Sequence, residues 1–255
     1  MVDDNRDLSR VRRRLSAIWR AAVVSLFFAL FGVGGILISP LMLILRSPRR
    51  CQPVVRALWI PFVALLRFAG IIDVDHANLS PSLRGCVIAA NHPSLIDVVI
   101  VLALVPRTLY VAKTALLRNP LMAAIVRHTS LPVDERLPEA AMPYLRDGWN
   151  LLIFPEGTRS PATGGIHPFH RGIAHLVLRV GSPLVCLGIR LSRRIVGKGQ
   201  SPWDVGSERV TYFLRFDSPT HHPVNDFTRA LRPAAVRLTE EIRSRIESLM
   251  KPAET

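Results

Sequence analysis

From about residue 71 the sequence predicts an α/β domain, a mixed, mostly parallel sheet flanked by helices. Short apolar runs rich in β-branched residues alternate there with longer segments of helical character. A long uncharged run nearer the N-terminus predicts a membrane-associated helical hairpin ahead of that domain. The chain therefore divides into a basic arm with anchoring helices over residues 1–70 and a globular domain over residues 71–255. With 255 residues, 49% of them hydrophobic, it is large enough to bury one proper core.

Residues 1–20 hold Arg6, Arg10, Arg12, Arg13, Arg14 and Arg20 against Asp3, Asp4 and Asp7. Ala21 to Leu45 then run without a charge, and Arg46, Arg49 and Arg50 follow. The run is long enough to span a bilayer. It lacks the small-residue cleavage site of a signal peptide. Gly32, Gly34, Gly35 and Pro40 interrupt it, and a second apolar stretch from Pro53 to Gly70 is broken by Arg56 and Arg67. Arginines at both ends blur the positive-inside signal, so a spanning helix and an anchor lying in one leaflet both remain open.

Within the domain, Gly85 to Ala90 reads as a short buried strand, and Ser94 to Leu104 as a helix with Pro93 suited to its first turn. Thr108 to Ala112 is a strand, Leu121 to Arg127 a helix, and Leu137 to Asp147 a helix ended by Gly148. Asn150 to Phe154 is a strand and Gly172 to Val180 a helix. Leu184 to Leu191 and Arg209 to Phe216 are strands, and Phe227 to Met250 is a closing helix marked by Pro233. Ser192 to Ser207, rich in Arg, Gly, Ser and Lys, is expected to be a flexible loop.

The formal charge of +14 is nearly all arginine, since Lys113, Lys198 and Lys251 are the only lysines. Such a surplus calls for an anionic partner: nucleic acid, phospholipid headgroups or a phosphorylated substrate. A mean hydropathy of +0.27, with the apolar residues gathered near the N-terminus, favours a membrane surface over nucleic acid. Cys51, Cys86 and Cys186 are odd in number and widely spaced, as free thiols of a reducing compartment are.

Two motifs carry chemistry. In Asn91-His92-Pro93-Ser94-Leu95-Ile96-Asp97, a neutral imidazole can accept the proton of an alcohol attacking a thioester. A carboxylate on its other nitrogen fixes the tautomer and stabilises the imidazolium. Five residues on a continuous helix would leave the two side chains roughly 140° apart. His92 must therefore lie outside the helix and turn back over its start, which Pro93 favours. The spacing by itself is weak: with 8 histidines and 11 aspartates a second instance occurs, His221 and Asp226, in a polar turn. The second motif, Phe154-Pro155-Glu156-Gly157-Thr158-Arg159-Ser160, is more specific. Gly157 lets a backbone approach closely, Arg159 offers a fork that matches phosphate, and Glu156 can meet a substrate hydroxyl or position Arg159.

Taken together these residues resemble the glycerolipid acyltransferase family, of which bacterial lysophosphatidate acyltransferase is the model. Asn-His-x-Ser-x-x-Asp is its first motif and Phe-Pro-Glu-Gly-Thr-Arg-Ser its third, and the likeness covers about residues 80–190. The resemblance implies that His92 is the general base and Asp97 its orienting partner. It implies that Glu156, Gly157, Thr158 and Arg159 bind the acceptor, and it sets Lys113 and Arg136 beside them as a common family lysine and the second motif's phosphate-binding arginine. It also implies an acyl-CoA or acyl-carrier-protein donor, a lyso-lipid acceptor such as 1-acylglycerol-3-phosphate, no metal and no cofactor. The expected location is the cell membrane, with membrane lipids as partners and the catalytic domain on the cytoplasmic side.

Three departures place the acceptor pocket in question. Ser130 stands for the usual glycine of the second motif, Pro132-Val133-Asp134-Glu135 is not its apolar run, and Cys186 replaces the fourth motif's proline. Lys198-Gly199-Gln200-Ser201-Pro202-Trp203 resembles acyltransferases encoded with aryl polyene pigment pathways, so a non-glycerophosphate acceptor stays open. So do a membrane-bound thioester hydrolase, which would use the same histidine on water, and a non-catalytic basic membrane binder. His167, His170 and His175 have no cysteine or carboxylate to complete a metal site and read as solvated or helix-end residues.

Overall fold

The computed structural model describes residues 15–16, 18–26, 33, 37–38, 40–118, 120–201, 206, 208–223 and 231–252. Much of the expected N-terminal run, Trp203, Asp226 and the start of the closing helix lie outside these residues.

The elements are α1 (Pro48–Phe68), β1 (Ile72–Ala77), β2 (Val87–Ala90), α2 (Asp97–Leu104), β3 (Thr108–Ala112), a 3₁₀ turn (Thr114–Arg118) and α3 (Pro120–Thr129). They continue with β4 (Ser130–Pro132), α4 (Leu137–Arg146), β5 (Asn150–Ile153), α5 (Gly172–Val180), β6 (Leu184–Leu191), β7 (Val210–Phe216) and α6 (Leu231–Leu249). Seven strands form one sheet in the order β1-β7-β6-β2-β5-β3-β4, parallel except between β6 and β7. Side chains alternate across it. Val87, Ala89, Leu151 and Ile153 enter a core shared with α4, α5 and α6, while Ile88, Ala90 and Leu152 enter one shared with α1 and α2. The fold is therefore the expected α/β sandwich with a mixed, mostly parallel sheet.

Ahead of the sheet, residues 18–26 and 40–45 are helical. Helix α1 buries one stripe, Cys51, Val55, Trp59, Phe62 and Leu66, against the domain. Leu58, Ile60, Leu65 and Phe68 face outward. By length and composition α1 is the one helix among the described residues that could cross a membrane.

Four features differ from the sequence reading. Helix α2 begins at Asp97 rather than Ser94, because residues 94–96 form a turn and Pro93 stays in the loop. Strand β1 was not anticipated, because Asp73, Asp75 and His76 give an edge strand a polar signature. Strand β4, which the sequence reading did not include, is only three residues long and ends in proline. The segment from Ser192, expected to be a flexible loop, is pinned in its first half: Ile195 and Val196 are buried, and Val196 holds a left-handed φ of 50°.

Strands β2 and β5 are neighbours, yet β2 leads into α2 on one face and β5 leads into α5 on the other. Ligands of open α/β sheets bind in the crevice beyond the carboxyl ends of strands that part in this way. Both sequence motifs begin there.

Candidate active site

His92 leaves the end of β2, and Asp97 is the first residue of α2. The turn at 94–96 brings them together: His92 Nδ1 lies 3.0 Å from Asp97 Oδ2. The same oxygen accepts the Ser94 amide at 2.7 Å. Phe154, at the end of β5, stacks on the imidazole with ring centroids 4.2 Å apart. Asn91 fixes the strand end, donating to Ile189 O at 2.8 Å and accepting the Ile189 amide at 2.7 Å.

Asp97 is fully enclosed, and its Oδ1 is buried without a hydrogen-bond partner among the described residues. Burial pushes its carboxyl up, opposed by the His92 ring and the Ser94 amide. A carboxylate hydrogen-bonded to one ring nitrogen fixes the tautomer and orientation of the imidazole. Tyr212 on β7 lies beneath, donating to Ser94 Oγ at 2.9 Å.

Glu156 points inward and is only 3% exposed. Its Oε1 accepts the His92 amide at 2.9 Å and the Ser160 hydroxyl at 2.6 Å, and its Oε2 accepts the His167 amide at 2.8 Å. The Ser160 amide returns a bond to His92 O at 2.7 Å. The glutamate expected to meet an acceptor hydroxyl or position Arg159 is thus a brace beneath the two loops. Arg159 Nη1 is taken up by Val196 O (3.0 Å) and Gly197 O (2.9 Å), while its Nε and Nη2 make no hydrogen bond among the described residues. The Val196 carbonyl also accepts the Leu95 amide at 3.1 Å, so one main-chain oxygen joins both motifs.

Gly157 takes a φ of 61°, and a Cβ there would come within 3.0 Å of the His170 ring. Its amide donates to Phe154 O at 3.0 Å. The amides of Thr158 and Arg159 make no hydrogen bond among the described residues. Beside this loop opens a cleft of about 1160 Å³ over the ends of β3, β4 and β5, lined in part by Lys113, Gly157, His170, Arg171, His175 and Arg232. His92 is not in its wall; Phe154, stacked on His92, is. Arg136 does not line it: the turn into α4 leaves that residue exposed at the helix N-cap, while Asp134 and Glu135 face the cleft.

His167 gives its amide to Glu156, and His170 and His175 face the cleft. No three metal-ligating side chains gather among the described residues. His221, of the second His-Asp spacing, is exposed, and Asp226 lies outside the described residues. The three cysteines are free and buried. Cys186 offers an amide to Asp217 Oδ1 at 2.7 Å, a bond proline cannot give, and Asp217 in turn pairs with Arg245 at 2.6 Å.

The sequence reading missed Tyr212 and Val196. Tyr212 was legible as an inward position of an alternating strand, but nothing in the sequence singles out a carbonyl.

Comparison with known proteins agrees with this architecture. Residues 71–190 match the family model described as Acyltransferase. A 1-acyl-sn-glycerol-3-phosphate acyltransferase of Cocos nucifera is 32% identical over 105 residues, 37% of this chain and 34% of that protein. One of Limnanthes alba is 32% identical over 126 residues, 45% of this chain and 44% of that protein. The chain thus spans less than half the length of these curated relatives. Its fold is similar to the crystal structure of the 1-acyl-sn-glycerophosphate (LPA) acyltransferase PlsC from Thermotoga maritima, with a TM-score of 0.64 and 21% identity, over 96% of this chain and 99% of that one. The His-Asp pair and the Phe-Pro-Glu-Gly-Thr-Arg loop, which meet at the parting of β2 and β5, both lie within residues 71–190, the segment that matches the Acyltransferase family model.

Proposed function

We propose that the protein transfers an acyl group from a thioester, acyl-CoA or acyl-carrier protein, to a hydroxyl of a lysophospholipid-type acceptor such as 1-acylglycerol-3-phosphate. The observation that carries this reading is the 3.0 Å contact of His92 Nδ1 with buried Asp97, which leaves Nε2 as the base. In the proposed reaction Nε2 takes the hydroxyl proton as the oxygen attacks the thioester carbonyl. The tetrahedral adduct collapses, the carbon–sulfur bond breaks, and the imidazolium returns the proton to the leaving thiolate. The amides of Thr158 and Arg159, which have no partner among the described residues, are suited to the developing oxyanion. Lys113 and the Nε–Nη2 edge of Arg159 are suited to the acceptor's phosphate, and Arg136 to guiding it from outside the cleft. The relatives' printed names, all 1-acylglycerol-3-phosphate acyltransferases, favour that acceptor.

Residues 1–70 serve as the anchor and 71–255 as the catalytic domain. A helix with one face in the domain core and the other apolar and exposed, as α1 is, suits lying in one leaflet better than standing alone across a bilayer. The side facing the cytoplasm, where the donors occur, suits the catalytic face.

His92→Ala tests the reading. Wild-type protein supplied with acyl-CoA and a lyso-lipid is expected to form the diacyl product, read by mass spectrometry, and the variant to lose about 10²- to 10⁴-fold in rate while still folding. Near-normal transfer by the variant sinks the assignment. Thiol release by the wild type without acceptor makes it a hydrolase instead.

A further inference from the structure

Where β6 ends and β7 and β1 begin, toward the β1 edge of the sheet from the crevice, three arginines from separate parts of the chain come together. Arg20 comes from the N-terminal helical segment, Arg193 from the connection after β6, and Arg209 from the residue before β7. Nη2 of Arg20 and Nη2 of Arg209 each lie 3.6 Å from the point that a Cβ on Gly70 would occupy, so the two guanidinium groups converge over the α1–β1 turn. Arg20 Nη1 is buried with no hydrogen-bond partner among the described residues. Burial, and then the charges of Arg209 and Arg193, push the Arg20 guanidinium below its ordinary range. Neither Arg20 nor Arg209 forms an ion pair among the described residues. The nearby Asp73 is committed to Arg67 at 3.2 Å.

Like charges gathered around a buried, unsatisfied donor are a cost that an anion relieves, and the guanidinium fork matches phosphate oxygens. The neighbourhood indicates where that phosphate is held. Trp19, next to Arg20, is 58% exposed, and Phe68, two residues before Gly70, is 87% exposed. Ile18 and Leu65 are exposed as well. Large apolar side chains beside a cationic notch are the pattern of a surface that dips into acyl chains while holding headgroups.

We infer that Arg20 and Arg209, with Arg193 beside them, form a site for the phosphate of a bilayer phospholipid, separate from the acceptor's. Only the lipid source of the phosphate rests on the membrane reading above; the site does not rest on acyl transfer.

The test reads binding and never turnover. Full-length protein in a neutral detergent at low salt is titrated with monomeric short-chain phosphatidylglycerol, and separately with inorganic phosphate, following thermal unfolding. The wild type is expected to rise in Tm and saturate with the lipid. Arg20→Gln/Arg209→Gln is expected to start no lower than the wild type, since repulsion is relieved, and to bind the lipid at least about tenfold more weakly. Arg146→Gln/Arg237→Gln, which loses the same charge at exposed positions, is expected to respond like the wild type. An unchanged response in the first variant, or an equal loss in the second, overturns the site. An equal response to inorganic phosphate overturns the lipid assignment. If the double variant does not fold, Arg209→Gln alone gives the same reading. A catalytically dead enzyme that still saturates leaves this site standing, and an active enzyme that fails to saturate leaves acyl transfer standing.

Discussion

At the parting of β2 and β5 most polar groups of the two motifs are held by another part of the chain. Glu156 alone accepts three hydrogen bonds, and the Val196 carbonyl serves both motifs. Over β3 and β4, a few residues away, Lys113, Arg171 and Arg232 face a wide cleft and make no ion pair among the described residues. The first region is built to hold one geometry and the second to receive something charged. On the proposed function the difference separates chemistry from recognition: side chains that touch other side chains would set the rate, and those left open would set which ligand stays.

Variants can break that division, beginning with the pair itself. Asp97→Asn keeps the shape of the turn but removes the charge that favours a protonated imidazole. Turnover is expected to fall about 10²- to 10⁴-fold with little change in acceptor KM. A fall confined to KM would move Asp97 to the recognition side. Next comes Glu156→Gln, which turns one acceptor oxygen into a donor facing an N–H or O–H. A loss of about 1–3 kcal/mol is expected, read in urea unfolding, together with slower turnover. If stability holds and only acceptor binding suffers, the brace is a ligand contact after all. The smallest effect is assigned to Lys113→Gln: acceptor KM rises about tenfold or less, and the rise shrinks in high salt, with kcat kept. A matching loss of kcat would erase the division.

These regions were not equally legible in the sequence. His92 and Asp97 stand five residues apart, so their meeting needed only a turn that Pro93 already favoured. The α/β order followed from the alternation of apolar runs. Glu156 and Arg159 were visible as a motif, but not their directions. Those depend on His167 and Val196, 11 and 37 residues further along the chain. Strand β1 escaped because an edge strand needs to bury only part of itself, and its two aspartates concealed it. The arginine cluster escaped because its members are scattered over almost 190 residues and only the fold brings them together.

Arg159 grips Val196 and Gly197 through their carbonyl oxygens, and every residue type carries one. What must persist across descendants of this chain is therefore the path of the connection after β6 and not its spelling. Provided Ile195 stays apolar, position 196 tolerates its left-handed turn and glycine stays at 197, where a Cβ would meet Arg194, and at 199, where φ is 80°, the exposed residues beyond are free to drift or to be exchanged between relatives. Such exchanges would alter the rim of the site while His92 keeps its register, which makes this connection, on the proposed function, the natural place for new acceptor preferences to arise or to be engineered.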